Sequence, residues 1–233
     1  MRGSFVLVAT VASFATASAQ KPASSQQPAK PAAAQQPMQH DADQAIKGSG
    51  KLPDGWKVRF DDATAKPDQV IVEEKDSALT FTTGPAGIYY KPNMKAAGDY
   101  EFSAAFSQLK PSQHPEAYGL FIAGQDLDKP TQRYTYFLIR QDGKYLIKSR
   151  DGDATKTIVD WTAAPSMKEP KGVKTSNTLV IRGSGGTVRF LVDDQQVHKL
   201  ARAQAGGDGI AGVRVNHNLN VQVSKLAVKK PKP

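Results

Sequence analysis

From Lys47 onward, short runs of Val, Ile, Phe, Tyr and Thr alternate with polar residues and are broken by clusters of Gly, Pro, Asp and Asn. A period of two with such breaks marks half-buried strands, and no stretch carries a helical period. The pattern predicts strands over 57–60, 69–74, 78–82, 87–90, 100–108, 117–124 and 133–141. It predicts seven more over 144–150, 155–160, 177–183, 187–193, 196–200, 209–216 and 219–229. So many strands in one domain require two stacked sheets or a closed barrel, because an open sheet of that size curls or splits. The expected fold class is all-β, a two-sheet antiparallel β-sandwich.

The breaks carry turn chemistry. Asp142-Gly143 between two strands is a strong hairpin signal. Gly183-Ser184-Gly185-Gly186 predicts a second hairpin, Asp193-Asp194 a third, and Arg150-Asp151-Gly152-Asp153 another turn. Alternation also sorts the faces. Phe102, Ala104 and Phe106 share one face of their strand, and Val188, Phe190 and Val192 share one face of theirs. In 133–141, Thr135, Phe137 and Ile139 point one way, with Tyr134, Tyr136, Leu138 and Arg140 opposite them.

Before Lys47 the pattern changes. Met1-Arg2 begins an apolar run through Phe14, and Ala17-Ser18-Ala19 fits a small-x-small cleavage site, so residues 1–19 are expected to be a signal peptide. The run is shorter than the ~20 apolar residues of a membrane span. Residues 20–46 are rich in Ala, Pro, Gln and Ser and lack periodicity; they are expected to be a disordered linker to a domain over 47–229. Residues 230–233 form a short basic tail. The expected destination is the periplasm or the exterior.

Composition narrows the chemistry. The 233 residues include no cysteine, which excludes disulfides, thiolate metal sites and cysteine nucleophiles. Net charge is +9, of which about +8 remains after residues 1–46 are set aside. Along the chain the basic residues are scattered among strands and loops, which argues against a specific nucleic-acid site and for general attraction to anionic polymers.

From Gly55-Trp56 to Val228 the order of the pieces resembles the concanavalin-like jelly rolls. Those pieces include Tyr136-Phe137-Leu138-Ile139, Asp142-Gly143-Lys144-Tyr145, Val159-Asp160-Trp161-Thr162 and Ser176-Asn177-Thr178-Leu179. The run Phe190 to Val197 and the closing Gly209-Ile210-Ala211-Gly212-Val213-Arg214-Val215 complete the series. Among such domains it is most similar to bacterial laminin-G-like domains near the 3-keto-disaccharide hydrolase family. The stretch Glu116 to Ala123 keeps only Gly119 of that family's Asn-Ser-Gly turn, so no catalytic residue carries over.

On such a fold one sheet is concave, and aromatic rings there can stack on sugar rings while Arg donates to hydroxyls or carboxylates. The expected ligand-binding residues are Tyr134, Tyr136 and Arg140, with Tyr118, Arg214 and His217 nearby. Tyr145 and Trp161 are further neighbours, Trp161 being read as packing. The carboxylates show no paired spacing for glycoside cleavage. The four histidines are not spaced as a zinc site, and no cofactor is expected; Asp126-Leu127-Asp128 is the one candidate calcium loop. The expected function is non-catalytic binding of a carbohydrate or other cell-envelope polymer. A glycoside-cleaving enzyme and a protein-interaction domain are the alternatives.

Overall fold

Among the described residues fourteen strands form, in the places the alternation predicts. A computed structural model describes residues 42–172 and 175–231, with Met1 and Gly3 besides. The chain divides into two compact units, Met1–His40 and Asp41–Pro233, and the fold below is that of the second. Apart from Met1 and Gly3, the expected signal peptide and the spacer as far as Asp41 lie outside the described residues, as do Lys232 and Pro233 of the tail.

The strands are β1 (Lys57–Phe60), β2 (Val70–Lys75), β3 (Ala78–Thr83), β4 (Gly87–Ala96), β5 (Tyr100–Gln108), β6 (Ala117–Gln125) and β7 (Arg133–Arg140). There follow β8 (Lys144–Asp151), β9 (Ala154–Ala163), β10 (Asn177–Ser184), β11 (Thr187–Val192), β12 (Gln195–Ala201), β13 (Gly209–Val215) and β14 (Asn220–Lys229). Sheet A has the order β1-β4-β13-β6-β7-β8-β9 and sheet B the order β12-β11-β10-β5-β14-β3-β2. Both are antiparallel throughout, and together they make the two-sheet sandwich of a jelly roll.

The predicted hairpins form. Gly143 takes a positive φ of 77° at the β7–β8 turn and donates to the Arg140 carbonyl at 3.1 Å. Asp193 and Asp194 have φ of 46° and 66°, the pair of positive values that matches the twist of a two-residue hairpin. β4 runs on past Tyr90 through Pro92 to Ala96, where the sequence pattern ends it. The pairing with β13 slips between Ile210, opposite Lys95, and Gly212, opposite Tyr90, so Pro92 sits in a bulge where its missing N–H breaks no ladder bond.

The main core lies between the sheets. Phe102, Ala104, Phe106, Val188, Phe190 and Val192 face it from sheet B, as the alternation predicts, and Phe137 and Ile139 meet them from sheet A. Phe137 packs edge-on to Phe190 at 5.4 Å. A second, smaller cluster occupies the opposite face of sheet A: Ile88, Tyr90, Ala117, Phe121, Leu127, Tyr134, Tyr136, Leu138 and Leu146.

Candidate functional site

Of the expected site residues, Tyr134, Tyr136 and Arg214 converge on the outer face of sheet A, although not as an open surface of rings. Strand pairing aligns Tyr136 with Phe121 and Lys148, and Tyr134 with Arg150. Phe121 and Tyr134 stack at 5.4 Å, and Tyr134 and Tyr136 at 5.8 Å. Gly212 makes room for this layer: a Cβ there would meet the Phe121 ring at 2.6 Å. Tyr134 and Tyr136 are only 3% and 6% exposed. They point away from the inter-sheet core, as expected, but do not form an open surface, being buried in a second cluster. Leu127 from the β6–β7 connection packs into it, Ile210 and Trp161 pack against it, and the Arg214 guanidinium lies 4.9 Å over the Tyr136 ring.

Arg214 is itself buried, and the charge is held in place by Asp61, which follows β1. Nη1 donates to Asp61 Oδ1 at 3.0 Å and Nη2 to Oδ2 at 2.5 Å, the forked geometry suited to a carboxylate. Arg150 Nη1 donates to the same Oδ1 at 3.0 Å. Tyr134 Oη accepts from Arg214 Nη1 at 3.4 Å. Burial pushes the Asp61 carboxyl up, but the charge and hydrogen bonds of Arg214, with Arg150 and Arg59 beside it, carry it below the usual carboxylate range. Burial alone would lower the Arg214 value; Asp61 reverses that and raises it. Both groups therefore stay charged near neutrality.

Arg140 stands at the other end of β7, six residues and so roughly 20 Å along the strand from Tyr134. Its guanidinium stacks on Trp161 of β9 at 4.1 Å, and Nε donates to Asp142 Oδ1 at 2.7 Å. Trp161 is half-buried. Lys144 Nζ lies 3.5 Å from the other Asp142 oxygen. Asp142 also lines a cavity of about 730 Å³ at this end of the sandwich, walled by Gln108, Gln141, Pro111, Met167 and Lys168 among others. That volume is in the range of a small-molecule or sugar-sized site. Gln108 is buried there; its Nε2 donates to Gln141 Oε1 at 3.0 Å, while its Oε1 has no partner among the described residues.

The remaining expected residues sit elsewhere. Tyr118 is fully buried between the sheets, packed 5.7 Å from Phe106, because it shares the inward register of Ile139. It presents nothing to a ligand. Tyr145 also faces the core, its hydroxyl donating to the Val197 carbonyl at 3.0 Å. His217, in the β13–β14 turn, is buried with Nε2 2.9 Å from Glu116 and Nδ1 3.1 Å from Asp43. Both ring nitrogens face carboxylates, so it ties structure together instead of offering a free edge. The turn that holds it is anchored by Thr83, whose hydroxyl donates to the Asn216 carbonyl at 2.7 Å. In the candidate calcium loop, Asp126 Oδ1 accepts from Lys129 Nζ at 2.9 Å. Among the described residues no group of three or more His, Asp or Glu side chains is placed to hold a metal ion. No described helix is long and apolar enough to cross a membrane.

The residue reading missed Asp61 and the roles of Arg150 and Asp142. Asp61 carried no local signal, since its partner Arg214 is 153 positions away. Arg150 did: Lys144, Lys148 and Arg150 lie an even number of residues apart and so share one face of β8.

The carbohydrate-binding module CBM66 from Bacillus subtilis superposes with a TM-score of 0.55 at 11% identity, over 79% of this chain and 99% of that one. A protein of unknown function with a galectin-like fold, also from Bacillus subtilis, gives 0.56 at 12%, over 75% and 89%. The carbohydrate recognition domain of Emp46p gives 0.52 at 11%, over 77% and 89%. These likenesses show the galectin- and concanavalin-like sandwich; they do not show the narrower kinship with 3-keto-disaccharide hydrolases. The chain matches no protein-family model and no curated protein.

Proposed function

We propose that this protein is an exported, non-catalytic carbohydrate-binding module whose site is the outer face of sheet A at its Arg140–Trp161 end. The observation that carries this reading is the stack of Arg140 on Trp161, its guanidinium fixed by Asp142, which also lines the neighbouring cavity. An indole and a guanidinium held in one geometry form a flat apolar wall with donors at its edge, and little ordering is left for the ligand to impose. Two of the proteins that share the fold are carbohydrate binders by name, which supports the class of ligand. The buried Tyr134–Tyr136–Arg214–Asp61 cluster is the base that fixes this face and does not itself contact the sugar.

The test is a glycan-array screen of the full chain followed by titration with the best ligand. Trp161→Ala is expected to weaken binding by at least about ten-fold, the scale of an aromatic anchor, while the thermal melt stays within a few degrees. An array blank for every glycan class would sink the reading, and so would unchanged affinity in Trp161→Ala. Tyr134 and Tyr136 are unsuitable probes, because truncating either buried ring would report packing.

A further inference from the structure

Basic residues that look scattered along the chain are gathered by strand pairing onto one face. The rows across sheet A place Arg59, Ile88, Arg214 and Gly119 in one line, and Lys57, Tyr90, Phe121, Tyr136 and Lys148 in the next. Tyr134 pairs with Arg150, and Arg140 with Lys144. Seven cations thus share the outer face, and none of these rows contains Asp or Glu. Among the described residues, Asp61 and Asp142 reach this face and are each already shared between two cations, and Asp128 beside Leu127 acts on Tyr90 at its β4 side, away from β7–β9. Lys57, Arg59 and Lys148 enter no ion pair among the described residues. Arg214 Nε has no hydrogen-bond partner among them either, although the side chain is buried.

Sheet B is different. There Glu101 faces Arg182 across the β5–β10 pairing and binds it, Glu73 lies on β2, and Arg189 pairs with Lys199. Its outer face mixes the two signs, so the cation excess on sheet A is a local feature and not the protein's general charge.

We infer that the ligand of this face is an acidic glycan, a chain bearing carboxylates or sulfates, lying along β7–β9 from Arg140 and Lys144 towards Lys148 and Arg150. The inference rests on the carbohydrate reading above. A low-dielectric face with one sign of charge concentrates counter-ions of the other, and Arg and Lys side chains match carboxylate and sulfate oxygens. A single-stranded nucleic acid fits less well, because successive bases need successive exposed rings. Here Tyr134 and Tyr136 are buried, leaving Trp161 as the half-exposed ring at this end.

The experiment uses the full chain and four probes of matched length: an oligogalacturonate, a dextran sulfate, a maltooligosaccharide and an oligothymidylate, each at about 0.15 M salt to screen distant charges. Two double variants remove the same charge from opposite faces: Lys144→Gln with Lys148→Gln on sheet A, and Arg189→Gln with Lys199→Gln on sheet B. The expected result is binding of the oligogalacturonate or the dextran sulfate at least about ten-fold tighter than the neutral chain, the better of the two naming the anion. The sheet A pair is expected to weaken it about five-fold and the sheet B pair less than about two-fold. Equal losses from both pairs would overturn the inference, as would tighter binding of oligothymidylate. A preference for the maltooligosaccharide would overturn it and leave the carbohydrate reading standing; binding of no glycan at all would overturn both.

Discussion

Arg214 is a full charge inside the sheet A face, and Asp61 is what makes it tolerable. Removing one partner of such a pair strands the other without water. Asp61→Asn is expected to cost about 2–3 kcal/mol in urea unfolding, less than the ~3–5 of a fully buried pair, because the Asp61 side chain keeps 32% exposure. The lowered Asp61 pKa sets the pH dependence. Its contribution is complete above the ordinary unfolded value of 3.8 and is lost as pH falls through the lower folded value. The stability gap between wild type and Asp61→Asn should therefore be widest near neutrality and close in acid; a gap independent of pH would show that the carboxylate charge contributes nothing. Tyr118 is the opposite case. Its buried hydroxyl has no partner among the described residues, and burial holds the phenol far above its usual range. Tyr118→Phe is expected to stabilise the fold by about 1 kcal/mol by removing an unpaired polar group, with glycan affinity unchanged. Destabilisation would mean that the hydroxyl has a partner after all.

Among the elements, β13 carries the most constraint. It sits between β4 and β6 and supplies Arg214 to the outer face while Val213 and Val215 fill the core. Its Gly212 is enclosed by the Tyr89 carbonyl, 2.4 Å from where a Cβ would stand, and by the Phe121 ring. Gly212→Ala is expected to cost about 2 kcal/mol through overpacking, and to perturb the Phe121–Tyr134 stack that near-UV circular dichroism reads. An unchanged melt and spectrum would show that β13 can shift to accept the methyl. Most strands were legible because they are rich in β-branched and aromatic residues and are bounded by Gly, Asp, Asn or Pro. The bulged continuation of β4 was not, since Pro92 reads as a strand breaker until the slipped partner shows that no hydrogen bond is required of it. The second face of β7 was misread for a related reason: Tyr-x-Tyr-x-Leu at a period of two looks the same whether the face meets solvent or a second cluster.

At the scale of the molecule, the contacts of the sandwich reach back to Ala42. Gln44 N–H donates to Asn218 Oδ1 at 2.7 Å, Asn218 Nδ2 donates to the Ala42 carbonyl at 3.0 Å, and Asp43 meets His217. The segment thus bridges to the β13–β14 turn across some 174 positions of sequence. A chain begun at Lys47 is expected to be less stable than one begun at Ala42 by about 3 kcal/mol, at roughly 1 kcal/mol for each of the three hydrogen bonds lost. Equal urea midpoints would show that residues 42–46 are passengers.

Local rules determined the strands, the hairpin turns, the inward faces of β5 and β11 and the all-β class, because each depends on neighbours one to four positions apart. Chemistry depends on which distant strands are adjacent, and that is a property of sheet order. Only the tertiary structure joined Asp61 to Arg214, set Arg140 on Trp161, buried Tyr134 and Tyr136, and withdrew Tyr118 into the core. It also gathered Lys57, Arg59, Arg140, Lys144, Lys148, Arg150 and Arg214 onto one face of sheet A. Strand order decides which side chains share a face, and antiparallel register decides which stand opposite one another; neither is written in any one stretch of chain.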